Sequence, residues 1–67
     1  MIREEIIRKG EEQLLYTYNN AKLENISHSE IVSFADKGLA QLDMLFYILG
    51  EDYENYDMWF NKFYSLH

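Results

Sequence analysis

Residues 27–50, SHSEIVSFADKGLAQLDMLFYILG, decide how the rest of the chain is read. Ser27 followed by Glu30 is a capping box: the hydroxyl can accept from the Glu30 backbone N–H while the Glu30 side chain reaches back. Ile26 before the cap and Ile31 after it fit a hydrophobic staple. Ile31, Phe34, Ala35, Gly38, Leu42, Leu45 and Leu49 then recur at helical spacing, and Gly50 stands where a glycine ends a helix. The pattern predicts a helix over about 28–49. It also carries a second apolar stripe on its other side, Ala40, Met44, Tyr47 and Ile48, at i, i+4, i+7 and i+8. A helix apolar on two sides is central to something. Either its own chain packs on both sides, or one side meets another chain.

Toward the N-terminus, MIREEIIRKGEEQLLYTYNNAKL (residues 1–23) opens with Glu4→Arg8 and Glu5→Lys9, i,i+4 pairs in the favourable order. At 100° per residue Ile2, Ile6, Ile7, Leu14, Tyr18 and Ala21 share one face, and Leu15, Tyr16 and Leu23 fall off it. A first helix over about 2–20 follows, its end weakened by Asn19-Asn20. Toward the C-terminus, GEDYENYDMWFNKFYSLH (50–67) offers Asp52 as an N-cap, with Glu51 and Glu54 favouring the helix dipole. Tyr53, Tyr56, Trp59, Phe60, Phe63 and Tyr64 fall within an arc of roughly 160° on a third helix over 53–65. Trp59 is expected to be buried between the third and second helices. The fold class predicted is all-α: one domain, residues 1–67, a small three-helix bundle with the second helix central. Gly10 and Gly38 each fall inside an apolar arc. A hairpin turn centred near Glu24 would set them at the same height on facing surfaces.

At 67 residues this is one domain at most, and one that buries only about 60% of its unfolded surface. There is no cysteine, so disulfides and thiolate metal sites are out. Tight packing and oligomerisation remain as sources of stability. A hydrophobic content of 48% argues for a packed core and against disorder. The net charge of −6 and the lack of a basic run beyond Arg8-Lys9 argue against direct nucleic-acid binding and against anionic membranes. No apolar run approaches the ~20 residues of a span, and the N-terminus is charged from its third residue. A cytoplasmic location is expected.

Chemistry-bearing constellations are few. Asp36 and Asp43 lie seven apart on one helix face with Tyr47 nearby, a pair that could in principle do acid–base work or hold a hard cation. No histidine, glycine-rich loop or further carboxylate joins them at ligand spacing, so a solvated helix face is the reading. His28 sits inside the capping box and His67 at the end of the chain. No catalytic residue, metal ligand or cofactor is assigned, and the chain is not expected to be an enzyme.

Two family resemblances fall on the second helix. ISHSEIVSFADKGLAQLDML (26–45) loosely resembles the second helix of the small aspartyl-phosphate phosphatases of sporulating bacteria, helical hairpins with a Ser-Gln-Glu-Leu-Asp motif. The matching stretch, Leu39-Ala40-Gln41-Leu42-Asp43, shares Leu42 and Asp43, and the resemblance implies Asp43 as the functional acid. SFADKGLAQLDM (33–44) looks like a helix of the Hha-type nucleoid modulators, matching at Ser33, Ala35, Asp36, Leu39, Ala40, Leu42 and Met44. That resemblance implies action by binding another, DNA-binding protein.

Taken together, these features predict a small acidic adaptor or inhibitor that occupies a surface on a larger protein, one with a basic or nucleic-acid-binding face. Exposed carboxylates would steer it and an aromatic anchor would hold it. Glu51, Asp52, Tyr53, Glu54, Tyr56 and Asp57 are the expected contact residues, with the four acids exposed as one patch. A narrower version has the carboxylates standing in for DNA phosphates. Compact acidic proteins of phages and mobile elements have this build, an analogy of form alone. The second reading is a homo-oligomeric regulatory or structural protein, such as a homodimer, associating through Leu15, Tyr16, Ala40, Met44, Tyr47 and Ile48. The third is a phosphatase-like regulator using Asp43.

Overall fold

A computed structural model describes residues 2–67. Three helices follow in order: α1 Arg3–Ala21, α2 His28–Leu49 and α3 Tyr56–Tyr64. The capping box forms as expected, with the Glu30 N–H donating to Ser27 Oγ at 3.2 Å and the Ser27 N–H donating to Glu30 Oε1 at 3.3 Å. Gly50 ends α2 at φ 92°, a region only glycine enters freely, while its N–H donates to the Phe46 carbonyl at 2.8 Å.

α2 is the central helix, and both others run antiparallel to it. On the α1 side, the Arg3 guanidinium donates to the Leu49 carbonyl at 2.9 Å and Thr17 Oγ1 donates to Gln41 Oε1 at 2.8 Å. On the α3 side, Tyr56 meets Phe46 near the top and Phe63 lies over Gly38 lower down. Leu14, Leu42, Leu45, Leu49, Tyr53, Trp59 and Phe63 form the core. Phe63 is fully buried where all three helices meet, its ring edge-on to Tyr18 at 5.8 Å. Trp59 is buried, as its place on the aromatic arc predicts.

The sequence-based expectation differs from the structure in two places. The third helix begins at Tyr56 rather than 53, with Asn55 and not Asp52 at its N-cap. Residues 51–55 form turns, the first closed by the Tyr53 N–H donating to the Gly50 carbonyl at 3.2 Å. Tyr53 reaches the core from this turn rather than from a helix face. The glycines also do not face each other. A Cβ on Gly10 would meet Leu45 and one on Gly38 would overlap the Phe63 ring. Each glycine makes room for a large side chain, not for a backbone. The assumed hairpin centre near Glu24 was wrong because the connection at 22–27 runs on along the axis before α2 begins. Thr17 lies four residues from the end of α1, whereas its partner Gln41 lies thirteen from the start of α2. That offset amounts to about 13 Å at 1.5 Å per residue, so α2 overhangs α1, and His67, beyond α3, reaches Asp36 at the edge of the overhang.

Candidate protein-binding surface

The turn at 51–55 is held to α1 by one carboxylate. Glu11 Oε2 accepts from the Tyr53 hydroxyl at 2.5 Å, from Asn55 Nδ2 at 3.0 Å and from Trp59 Nε1 at 3.4 Å. Partial burial alone would push the Glu11 carboxyl up; the three donors together outweigh it, and Glu11 titrates below its ordinary range. Burial first, then the hydrogen bond and charge of Glu11, push the Tyr53 phenol well above its usual value. Sequence reasoning missed Glu11. The period gives little signal: at 100° per residue Glu11 falls just outside the apolar arc, 20° beyond Tyr18, where an acid is ordinary.

This anchoring corrects part of the expected contact patch. Tyr53 is only 3% exposed, so its ring is core and offers no surface to a partner. Glu51, Asp52, Glu54 and Asp57 are exposed. Asp52 lies 3.2 Å from the Arg3 guanidinium in a solvent-facing ion pair, of the kind worth little. Tyr56 is half-buried, and its hydroxyl donates to Asp43 Oδ1 at 3.1 Å. Burial first, then Asp43 and Asp57, raise the Tyr56 phenol.

From Tyr56 a ladder of rings runs down the outer edge of α3, one ring per helical turn. Tyr56 and Phe60 lie 6.0 Å apart at 23°, Phe60 and Tyr64 5.7 Å apart at 14°, and Tyr64 meets the His67 ring at 6.1 Å. Phe60 is 37% exposed and Tyr64 63%. The neighbouring edge of α2 places a carboxylate at each end of this ladder. Asp43 takes the Tyr56 hydroxyl, and Asp36 Oδ1 lies 3.1 Å from His67 Nε2. Asp36 and Asp43, paired in the sequence by spacing alone, thus bracket a row of part-exposed aromatic faces. The sequence arc contained Phe60 and Tyr64 but could not tell which of its members would remain uncovered.

The expected self-association residues separate. Met44 and Ile48 of α2 form one wall of an open groove of about 370 Å³, whose other wall is Ile6, Lys9 and Gln13 of α1. Leu15, Tyr16, Ala40 and Tyr47 are exposed but lie outside that groove. Among the described residues no three histidine or acidic side chains gather as they would around a metal ion, and no helix is long and apolar enough to cross a membrane. Compared with protein-family models, curated proteins and solved structures, the chain matches none.

Proposed function

We propose that this chain is a small acidic protein-binding module that occludes a surface on a larger protein, and that the surface it covers is rich in arginine or lysine. The observation that carries this reading is the Tyr56–Phe60–Tyr64 ladder bracketed by Asp43 and Asp36. An exposed aromatic face attracts a guanidinium or ammonium through its quadrupole, and a carboxylate alongside supplies the counter-charge. Glu51, Glu54 and Asp57 extend the negative field around the top of α3, where it raises the encounter rate with a basic partner. Lys22 and Lys62 both lie over the Tyr18 ring, away from the ladder, so their charge does not offset it.

The test begins with capture of partners from the source cell on immobilised wild-type chain and on a Phe60→Ser/Tyr64→Ser double variant. Affinities are then measured with the purified partner. The expected result is binding that weakens steeply with salt and drops at least about tenfold in the double variant, as loss of a central aromatic anchor does. A partner that binds both forms equally refutes the reading. Asp43 belongs to this same surface and is exposed, which keeps the phosphatase-like alternative in play. Phosphate release from a phosphorylated response regulator, abolished in Asp43→Asn, would favour it over occlusion.

A further inference from the structure

The groove between α1 and α2 is separate from the ladder and poses a different problem. No residue of α3 lines it; its floor is Leu45, a core side chain packed against the bare backbone of Gly10. Along its walls Met44 is 64% exposed and Ile48 57%, and Ile2 at the same end of α1 is 61% exposed. These are large apolar side chains in a row, not scattered ones, and such a row marks a contact surface.

We infer that a second copy of this chain covers the groove, pairing two α1/α2 faces as a two-fold dimer. Three observations select this occupant. The first is charge. The chain carries twelve carboxylates, yet none of the residues lining the groove is acidic and one, Lys9, is basic. It is a face on which a second chain of net charge −6 can approach without placing acid against acid. The second is area. The long face of the molecule spans 39 × 17 Å, roughly 660 Å², so a copy that lies along the whole of it, groove to groove, approaches the ~800 Å² per partner that a stable interface buries. The third is self-complementarity. A shallow groove with large apolar side chains, Met44 and Ile48, along one wall can receive the same pair from a copy related by a two-fold axis. Interdigitated Met44 and Ile48 would turn two half-covered hairpins into a four-helix core, supplying the buried surface that a disulfide-free chain of this size lacks.

The experiment is sedimentation equilibrium on the full chain from about 1 to 200 μM, the range that brackets a micromolar interface, with circular dichroism to confirm folding. Wild type is expected to reach twice 8.1 kDa. Met44→Glu and Ile48→Glu replace exposed side chains, so helicity should be kept while the mass falls to that of the monomer. Phe60→Ser/Tyr64→Ser, on the other surface, should remain a dimer. Because the two chains carry like charge, added salt should tighten the association. A wild type that stays monomeric throughout overturns the inference and leaves the groove to another occupant. A dimer that survives both glutamate variants but is lost in the Phe60/Tyr64 variant overturns it as well, by moving the interface to the ladder.

Discussion

Replacing Glu11 by alanine should cost this domain a large share of its stability. Three donors converge on one oxygen of Glu11, and two of them belong to residues of the core, Tyr53 at 3% exposure and Trp59 at 6%. Asn55 is only half-buried and can turn to water, so its loss counts for little. A buried donor left without its acceptor costs about 1–3 kcal/mol. Two such donors, in a site partly open to solvent, give an expected loss of about 2–5 kcal/mol for Glu11→Ala. The whole stability of 67 residues is about 3–10 kcal/mol at the usual 0.05–0.15 per residue. Glu11→Gln keeps an oxygen in place and loses the charge, so roughly 1 kcal/mol is expected. Urea unfolding followed by tryptophan emission reads this directly, because Trp59 is the only tryptophan and its indole N–H is one of the three donors. The pH dependence follows from the same contacts. Glu11 titrates lower folded than its ordinary 4.5, so the unfolded chain binds the proton first. Its contribution is present above about 4.5 and is lost as pH falls through the lower folded value. Tyr53 titrates higher folded than its ordinary 10.0, so its contribution is full below that pH and fades as pH rises above it. A Glu11→Ala chain that unfolds within about 0.5 kcal/mol of wild type, the scatter of ordinary surface substitutions, would refute the anchoring role.

The same urea assay checks the remaining predictions. Gly38→Ala should destabilise by about 1–3 kcal/mol or more, because its methyl overlaps the buried Phe63 ring, which cannot yield without moving α3. Gly10→Ala meets the branched end of one side chain, Leu45, with Cδ1 at 2.7 Å and Cδ2 at 2.9 Å; that end borders the open groove and can turn, and the gain in helix propensity of about 1 kcal/mol offsets the crowding. It should stay close to wild type, and a loss equal to that of Gly38→Ala would refute the distinction. Ser27→Ala removes the acceptor for the Glu30 N–H and should cost about 1 kcal/mol; no change would mean that the cap adds nothing to global stability.

What could be read from the sequence divides along a physical line. The bounds of α2 were legible because both ends are set by local chemistry: Ser27 with Glu30 at one, a glycine with positive φ at the other. The start of α3 was not. Tyr53 has the right period for the aromatic arc, yet its place is fixed by Glu11, 42 residues away in the chain. Periodicity describes a helix face and cannot separate it from a turn residue that a distant carboxylate pulls inward. The Gly10–Gly38 register failed for a related reason. It assumed that the connection reverses at its midpoint, whereas the direction of residues 22–27 is set by where the α1 and α2 side chains interlock. The exposed members of the aromatic arc were likewise undecidable, since which edge of α3 is covered depends on how far it leans onto α2.

The two surfaces make opposite demands on solution conditions, which allows them to be told apart in one protein. On the proposed function the ladder would attract opposite charge, so salt would weaken what it binds. As inferred above, the groove would bring together two chains that each carry −6, so salt would strengthen what it holds. Both are built on α2, but on different edges: Met44 and Ile48 line the groove, while Asp36 and Asp43 flank the ladder. Dimerisation through the groove would therefore leave two ladders uncovered. Two acidic-aromatic surfaces held at a fixed distance would engage a partner with two basic sites more tightly than either alone, provided their spacing matches. A Met44→Glu monomer should then still bind a single basic site at full strength, yet lose affinity for a partner that presents two. If its affinity for both kinds of partner were unchanged, dimerisation would have no part in recognition.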